Sequence, residues 1–197
     1  MTRPVKPVIF LHGVGSSGAA MRPLAEALAL PWPAAFPEGQ QPFDMGPGRQ
    51  WFSVRGVTDA NRPGRIEAAM PAFLDQIKAL GDPRDSVLIG FSQGAIMALH
   101  AVAAGLPAAG VLALSGRLAG PVGHRADWPA ITLIHGTADP VMPVDAARAT
   151  EAWLQDAGAA PRLTLFEGLG HTVDSRVLAS VRASLAATSA DQAEFRS

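Results

Sequence analysis

Six short apolar runs, at residues 7–11, 32–36, 87–89, 110–114, 131–134 and 163–166, constrain this chain more than any other feature. Most are continuous rather than alternating, the pattern of strands buried on both faces. Longer segments of helical character lie between them, at 19–28, 65–80, 94–104, 145–157 and 174–187. That rhythm predicts an α/β fold, about six mostly parallel strands flanked by helices. Asp145 and Asp174 stand where helix N-caps are expected. The 197 residues suffice for one full core. Residues 1–187 read as a single domain, and the polar tail at 188–197 is expected to fray.

Composition narrows the function classes. Apolar residues make up 48% and charged residues 17%, which suits a packed interior rather than disorder. The net charge is -1 and no Lys/Arg block occurs, so the footprint of a nucleic-acid binder is missing. No polybasic amphipathic segment is present, and the run at residues 8–11 is too short for a membrane span or a signal-peptide core. No stable membrane insertion is expected, and a cytoplasmic location is. With no cysteine in the chain, disulfide scaffolds, Cys-type zinc sites and thiol catalysis are excluded.

The stretch "SVLIGFSQGAIMALH" places Ser92 between Gly90 and Gly94, after an apolar strand and before a helix. A G-x-S-x-G match alone is a weak signal; the strand-turn-helix context is what gives it weight. Side chains two residues either side of the serine would collide at such a turn, and the helix directs its positive end at the serine. A serine hydroxyl needs a base. Of the five histidines, His171 follows the last predicted strand. His12 and His135 sit in "LHG" and "IHG" and read as turn-shaping, His100 as packing, and His124 as exposed.

The base needs a carboxylate to hold its tautomer. Asp139 in "HGTADPVMPV" is the leading candidate; Asp127 lies in the wrong loop and Glu167 is too close to His171 in sequence. Ser92, Asp139 and His171 then follow one another in the order of an α/β-hydrolase. An oxyanion hole requires two backbone N–H groups, expected from Gln93 and from Val14 in "LHGVGSSG". That glycine-rich loop lacks the Lys of a P-loop and the spacing of a dinucleotide site. In a doubly wound sheet all four residues fall on the edge formed by the strands' carboxyl ends.

Together these residues resemble the phospholipase/carboxylesterase family of α/β-hydrolases, which includes the acyl-protein thioesterases. The matching motifs are "VIFLHGVG", "RQWFSVRG", "LIGFSQGAIMALH", "HGTADPVMPV" and "GLGHTVDS". "GRQWFSVRG" followed by "RIEAAMPAF" is similar to the small bacterial carboxylesterase branch. The resemblance implies a minimal α/β-hydrolase fold, a triad of Ser92, Asp139 and His171, and oxyanion donors at Val14 and Gln93. Two positions depart from thioesterase-like members: Ser53 replaces Asp after "WF", and Ala95 replaces a second Gly after "GFSQG".

The expected chemistry is acyl transfer from a small-molecule ester to water, with no metal and no cofactor. A thioesterase or lysophospholipase is the alternative enzyme; a non-catalytic ligand-binding member of the fold is the alternative from another class. The connection 115–129 is too short for a lid domain, so an open site is expected. The long Pro- and Gly-rich connection 37–63 carries Trp51 and Phe52, which with Met142 are expected to line an acyl pocket. Oligomeric state is left open, a homodimer included.

Overall fold

The computed structural model describes residues 7–194, with side chains to residue 187. Six strands form one sheet: β1 (Val8–Leu11), β2 (Ala34–Ala35), β5 (Val87–Phe91), β6 (Gly110–Leu114), β7 (Ala130–Gly136) and β8 (Arg162–Phe166). Their order is β2-β1-β5-β6-β7-β8, and every neighbouring pair is parallel. All six expected strands are present. The edge strand β2 is shorter than its apolar run because only Ala34 and Ala35 pair with β1. Strands β3 (Gln41–Pro42) and β4 (Arg49–Gln50) form a separate antiparallel ribbon inside the long connection, where no strand is expected from its polar, proline-bearing sequence.

Among the described residues, five α-helices flank the sheet: α1 (Arg22–Leu28), α2 (Arg62–Ala79), α3 (Gln93–Ala103), α4 (Val144–Asp156) and α5 (Ser175–Glu194). Alternate strand residues point to opposite faces, and the core divides accordingly. Ile9, Leu11, Leu88, Val111, Ala113 and Leu133 belong to a cluster shared with α2, α3 and α4. Val8, Phe10, Ile89, Leu112, Leu114 and Ile134 belong to one shared with α1 and α5. Asp174 caps α5, its Oδ1 accepting from the Arg176 and Val177 N–H groups at 2.9 and 3.1 Å. Asp145 does not cap α4. Pro143, extended at φ -55 and ψ 142, takes the N-cap position, and Asp145 falls in the first turn. There its charge still complements the helix end.

The backbone of the expected tail continues α5 as far as Glu194; its side chains and residues 195–197 lie outside the described residues. Residues 115–129 contain no helix or strand, so nothing in that connection builds a lid. The chain runs outward from β1 to β2 and returns on the other side of β1 at β5. This puts the switch in strand order between β1 and β5, where open α/β sheets form their crevice.

Candidate active site

Ser92 occupies the turn between β5 and α3 with φ 52 and ψ -116, a left-handed conformation that a side-chain-bearing residue rarely adopts. Its N–H donates to the Leu114 carbonyl at 2.9 Å, which ties the turn to β6. The flanking glycines are sterically required. A Cβ on Gly90 would lie 2.5 Å from the Ala95 backbone, and one on Gly94 would lie 2.3 Å from the Leu11 carbonyl oxygen. The first N–H groups of α3 have no acceptor within the helix and open toward this turn. Ala95 fits because its neighbour is Gly116, where a Cβ would come within 2.3 Å of the alanine methyl.

His171 and Asp139 are joined, Nδ1 to Oδ2, at 2.6 Å. The Asp139 side chain is fully buried and that of His171 is 15% exposed. The other carboxylate oxygen, Oδ1, accepts from the Val141 and Met142 N–H groups at 2.9 and 2.8 Å. Burial works to raise the Asp139 pKa. The Met142 N–H, the His171 imidazole and the Val141 N–H outweigh it and hold the carboxyl below its ordinary value. Asp139 is therefore ionised at neutral pH, and its bond fixes the proton of His171 on Nδ1. The imidazole also packs on Phe91, the residue before Ser92, at 4.9 Å between ring centroids. The loop carrying His171 and the turn carrying Ser92 thus share one wall.

The other candidates go elsewhere. Asp127 pairs with Arg125 at 3.0 Å, Glu167 is exposed, and His124 is exposed. His100 is a packing residue whose Nε2 accepts the Ala119 N–H at 3.0 Å; burial lowers its pKa to about 4. His135 donates from Nε2 to the Met142 carbonyl at 2.7 Å, bracing the loop that carries Asp139.

His12 does more than shape a turn. Its Nε2 accepts the Gly39 N–H at 2.9 Å, so the ring proton resides on Nδ1 and is donated to the Gly13 carbonyl at 2.7 Å. The Glu38 carboxylate stands 3.7 Å from Nε2, but that nitrogen is already an acceptor. Burial lowers the His12 pKa against the opposing effects of Gly13 and Glu38, with Arg49 adding to the lowering, so the ring is neutral. The Gly13 carbonyl and the Val14 N–H belong to one planar trans peptide and point in opposite directions. By holding the carbonyl, His12 turns the Val14 N–H the other way. A Cβ on Gly13 would lie 3.4 Å from the Ser92 Cβ, so this peptide abuts the turn at Ser92.

Gln93 contributes its side chain as well as its backbone. Its Oε1 accepts the Trp51 N–H at 2.8 Å and its Nε2 donates to the Phe52 carbonyl at 2.7 Å. Trp51 in turn donates from Nε1 to the His12 carbonyl at 2.8 Å and sets its ring edge-on to Phe73. Trp51 and Phe52 are buried in the core, with Met142 packed partly buried against the same cluster. The ribbon is clipped onto the β1 loop by Gly15 N–H to Arg49 O at 2.9 Å and Arg49 N–H to Ser16 O at 2.8 Å. Ser53 donates to Asp44 Oδ2 at 2.6 Å. In the sequence these roles are marked only by the two His-Gly pairs at strand ends and the amide side chain next to the serine.

Among the described residues no three His, Cys, Asp or Glu side chains gather so as to hold a metal ion. Nor is any described helix long and apolar enough to cross a membrane.

A parallel sheet in this strand order, with a strained serine between strand and helix at the switch point, defines an α/β-hydrolase. A model of the Phospholipase/Carboxylesterase family matches residues 2–189, and the chain belongs to that family. It is 38% identical over 186 residues to Esterase YpfH of Escherichia coli (strain K12), covering 88% of this chain and 79% of that protein. Among solved structures, esterase PE8 superposes with a TM-score of 0.80 at 30% identity, covering 94% of this chain and 93% of that one. A relative from Oryza sativa subsp. japonica, 26% identical over 193 residues and covering 85% of this chain and 78% of its own length, is described as a probable inactive carboxylesterase.

Proposed function

We propose that this protein is a serine carboxylesterase, hydrolysing short- to medium-chain carboxylic esters through an acyl-serine intermediate. The observation that carries this reading is the 2.6 Å bond between His171 and Asp139 beside a serine held at φ 52. The relationship to YpfH and PE8, both described as esterases, supports the same reaction class.

In this mechanism Ser92 Oγ attacks the ester carbonyl carbon while His171 Nε2 takes its proton. Asp139, ionised and facing Nδ1–H, stabilises the imidazolium that forms. The Gln93 and Val14 backbone N–H groups hold the developing oxyanion, a contribution of about a hundredfold in rate for each donor. His171 returns the proton to the departing alcohol oxygen, and water then attacks the acyl-enzyme by the same route. Trp51 and Phe52, buried and held by the Gln93 clamp, support the floor of the acyl site from beneath, and the half-buried Met142 continues it beside Asp139. The exposed Val14 and Val141 side chains, at the ends of β1 and β7, give the open mouth an apolar rim. A cytoplasmic location is part of this reading.

A chain-length series of p-nitrophenyl esters, run beside matched acyl thioesters on one preparation, tests the substrate class. Faster turnover of the oxygen esters is expected; a thioester preference replaces the carboxylesterase reading with the thioesterase one. The rice relative described as a probable inactive carboxylesterase keeps a non-catalytic, ligand-binding role as the second reading. Absence of turnover on both series, with the protein folded, favours it.

A further inference from the structure

We infer that Arg62 and Arg117 form a subsite for a carboxylate carried by the ester substrate, an inference that rests on the esterase reading above. Arg117 lies three residues beyond Leu114, whose carbonyl accepts the Ser92 N–H. Three residues span at most about 10 Å of backbone, so Arg117 leaves the sheet close to Ser92, and a side chain of its length can bring a guanidinium to the same rim. Gly116, between them, packs against Ala95 in the first turn of α3. Arg62 begins α2, at the end of the same loop that starts with the clamped Trp51 and Phe52.

The two guanidiniums meet on a single oxygen. Arg117 Nη2 is 2.6 Å from Asp59 Oδ1, and Arg62 Nη1 bonds to the same atom. The arginine side chains are only 18% and 19% exposed, whereas Asp59 is 85% exposed. Two largely buried cations therefore share one solvent-facing carboxylate. Arg117 Nε is buried with no hydrogen-bond partner.

Nearby groups do not correct the imbalance. Arg65 donates to the Ser53, Arg55 and Gly56 carbonyls, adding another positive charge. Asp44 is engaged by the Ser53 hydroxyl and by the Val54 and Arg55 N–H groups. Glu67, the next acid on α2, lines a separate apolar hollow with Met70 and His100. Buried cations and unsatisfied donors are costly until an anion completes them. The Nε–Nη2 edge of an arginine donates two parallel bonds to a carboxylate, and Asp59 takes only one of them. A substrate carboxylate that displaces or joins Asp59 satisfies both donors.

The test compares kcat/KM for matched acidic and neutral esters. Mono-p-nitrophenyl adipate against p-nitrophenyl hexanoate places the acid on the acyl side; 4-carboxyphenyl butyrate against phenyl butyrate places it on the alcohol side. The readout is the acidic-to-neutral ratio relative to wild type, so intrinsic reactivities cancel. Arg117→Gln is expected to lower that ratio about tenfold for one of the pairs, and Asp59→Asn to raise it for the same pair. Calorimetry with free adipate on wild type and Arg117→Gln supplies a readout that needs no turnover, so failure of the esterase reading is distinguishable from failure of this one. Weaker adipate binding in Arg117→Gln supports the subsite. Unchanged ratios in both pairs, together with adipate binding that is absent or indifferent to Arg117→Gln, overturn it.

Discussion

The side-chain amide of Gln93 grips the chain at Trp51, accepting its N–H at 2.8 Å while donating to the next carbonyl at 2.7 Å. One residue thus links the helix after Ser92 to the long connection 42 positions earlier. Trp51 passes the link on to His12 through its indole N–H. The two peptides proposed as oxyanion donors are therefore held in one buried hydrogen-bonded circuit.

Gln93→Met keeps the backbone N–H but breaks the circuit. It leaves the buried Trp51 N–H and Phe52 carbonyl without partners, at a cost of about 1–3 kcal/mol each. Urea unfolding should record a loss of about 2–6 kcal/mol, and kcat/KM on p-nitrophenyl butyrate should fall by about tenfold. Gln93→Glu can accept from Trp51 but cannot donate to Phe52, and should be no better.

In the proposed mechanism His12 is a positioning residue, acting through the Gly13–Val14 peptide. His12→Leu removes the donor to the Gly13 carbonyl, and kcat should fall by about ten- to a hundredfold with KM little changed. His12→Asn retains an N–H near the position of Nδ1 and should recover part of that loss. A variant series in which KM rises and kcat stays constant would place His12 in substrate binding instead.

Asp139→Asn replaces the ionised acceptor facing His171 Nδ1–H with a neutral amide. The imidazole loses its fixed tautomer and the charge that stabilises its protonated form. A fall in kcat of about four orders of magnitude is expected, by analogy with other serine-histidine-aspartate enzymes. Steady-state kinetics with circular dichroism on the same samples separates this from misfolding.

His100 makes the fold acid-sensitive. Its pKa drops from 6.5 to about 4 on folding because burial disfavours the imidazolium. Between those values the unfolded chain binds more protons than the folded one, so stability rises with pH across this window and falls on acidification. The full effect is on the order of 3 kcal/mol, lost as pH drops from about 6.5 to about 4. The lowered pKa of His12 acts in the same direction. Asp139, with its pKa below the ordinary carboxylate value, loses its contribution only at more acid pH. Denaturant titrations at pH 7 and pH 5 should show a smaller difference for His100→Asn than for wild type.

What could be read from the sequence divides by range. The central strands were legible because parallel strands buried on both faces leave continuous apolar runs, as in β5 and β6. The turn at Ser92 was legible because its steric demands on Gly90 and Gly94 are local. The β3–β4 ribbon was not, since Gln41, Pro42, Arg49 and Gln50 have no strand periodicity and are held by backbone bonds to each other and to the β1 loop. The bonds of His12 to Gly39, of Gln93 to Trp51 and of Arg117 to Asp59 span 27, 42 and 58 positions. Pairings of that kind leave no mark in local pattern and emerge only when the sheet assembles the loops.

The most direct measurement is mass spectrometry of the protein after treatment with a fluorophosphonate probe, paired with ester turnover. A single adduct on the peptide containing Ser92, lost together with activity in a folded Ser92→Ala variant, is the predicted result. Labelling at another serine, or turnover retained by Ser92→Ala, would contradict the acyl-serine mechanism.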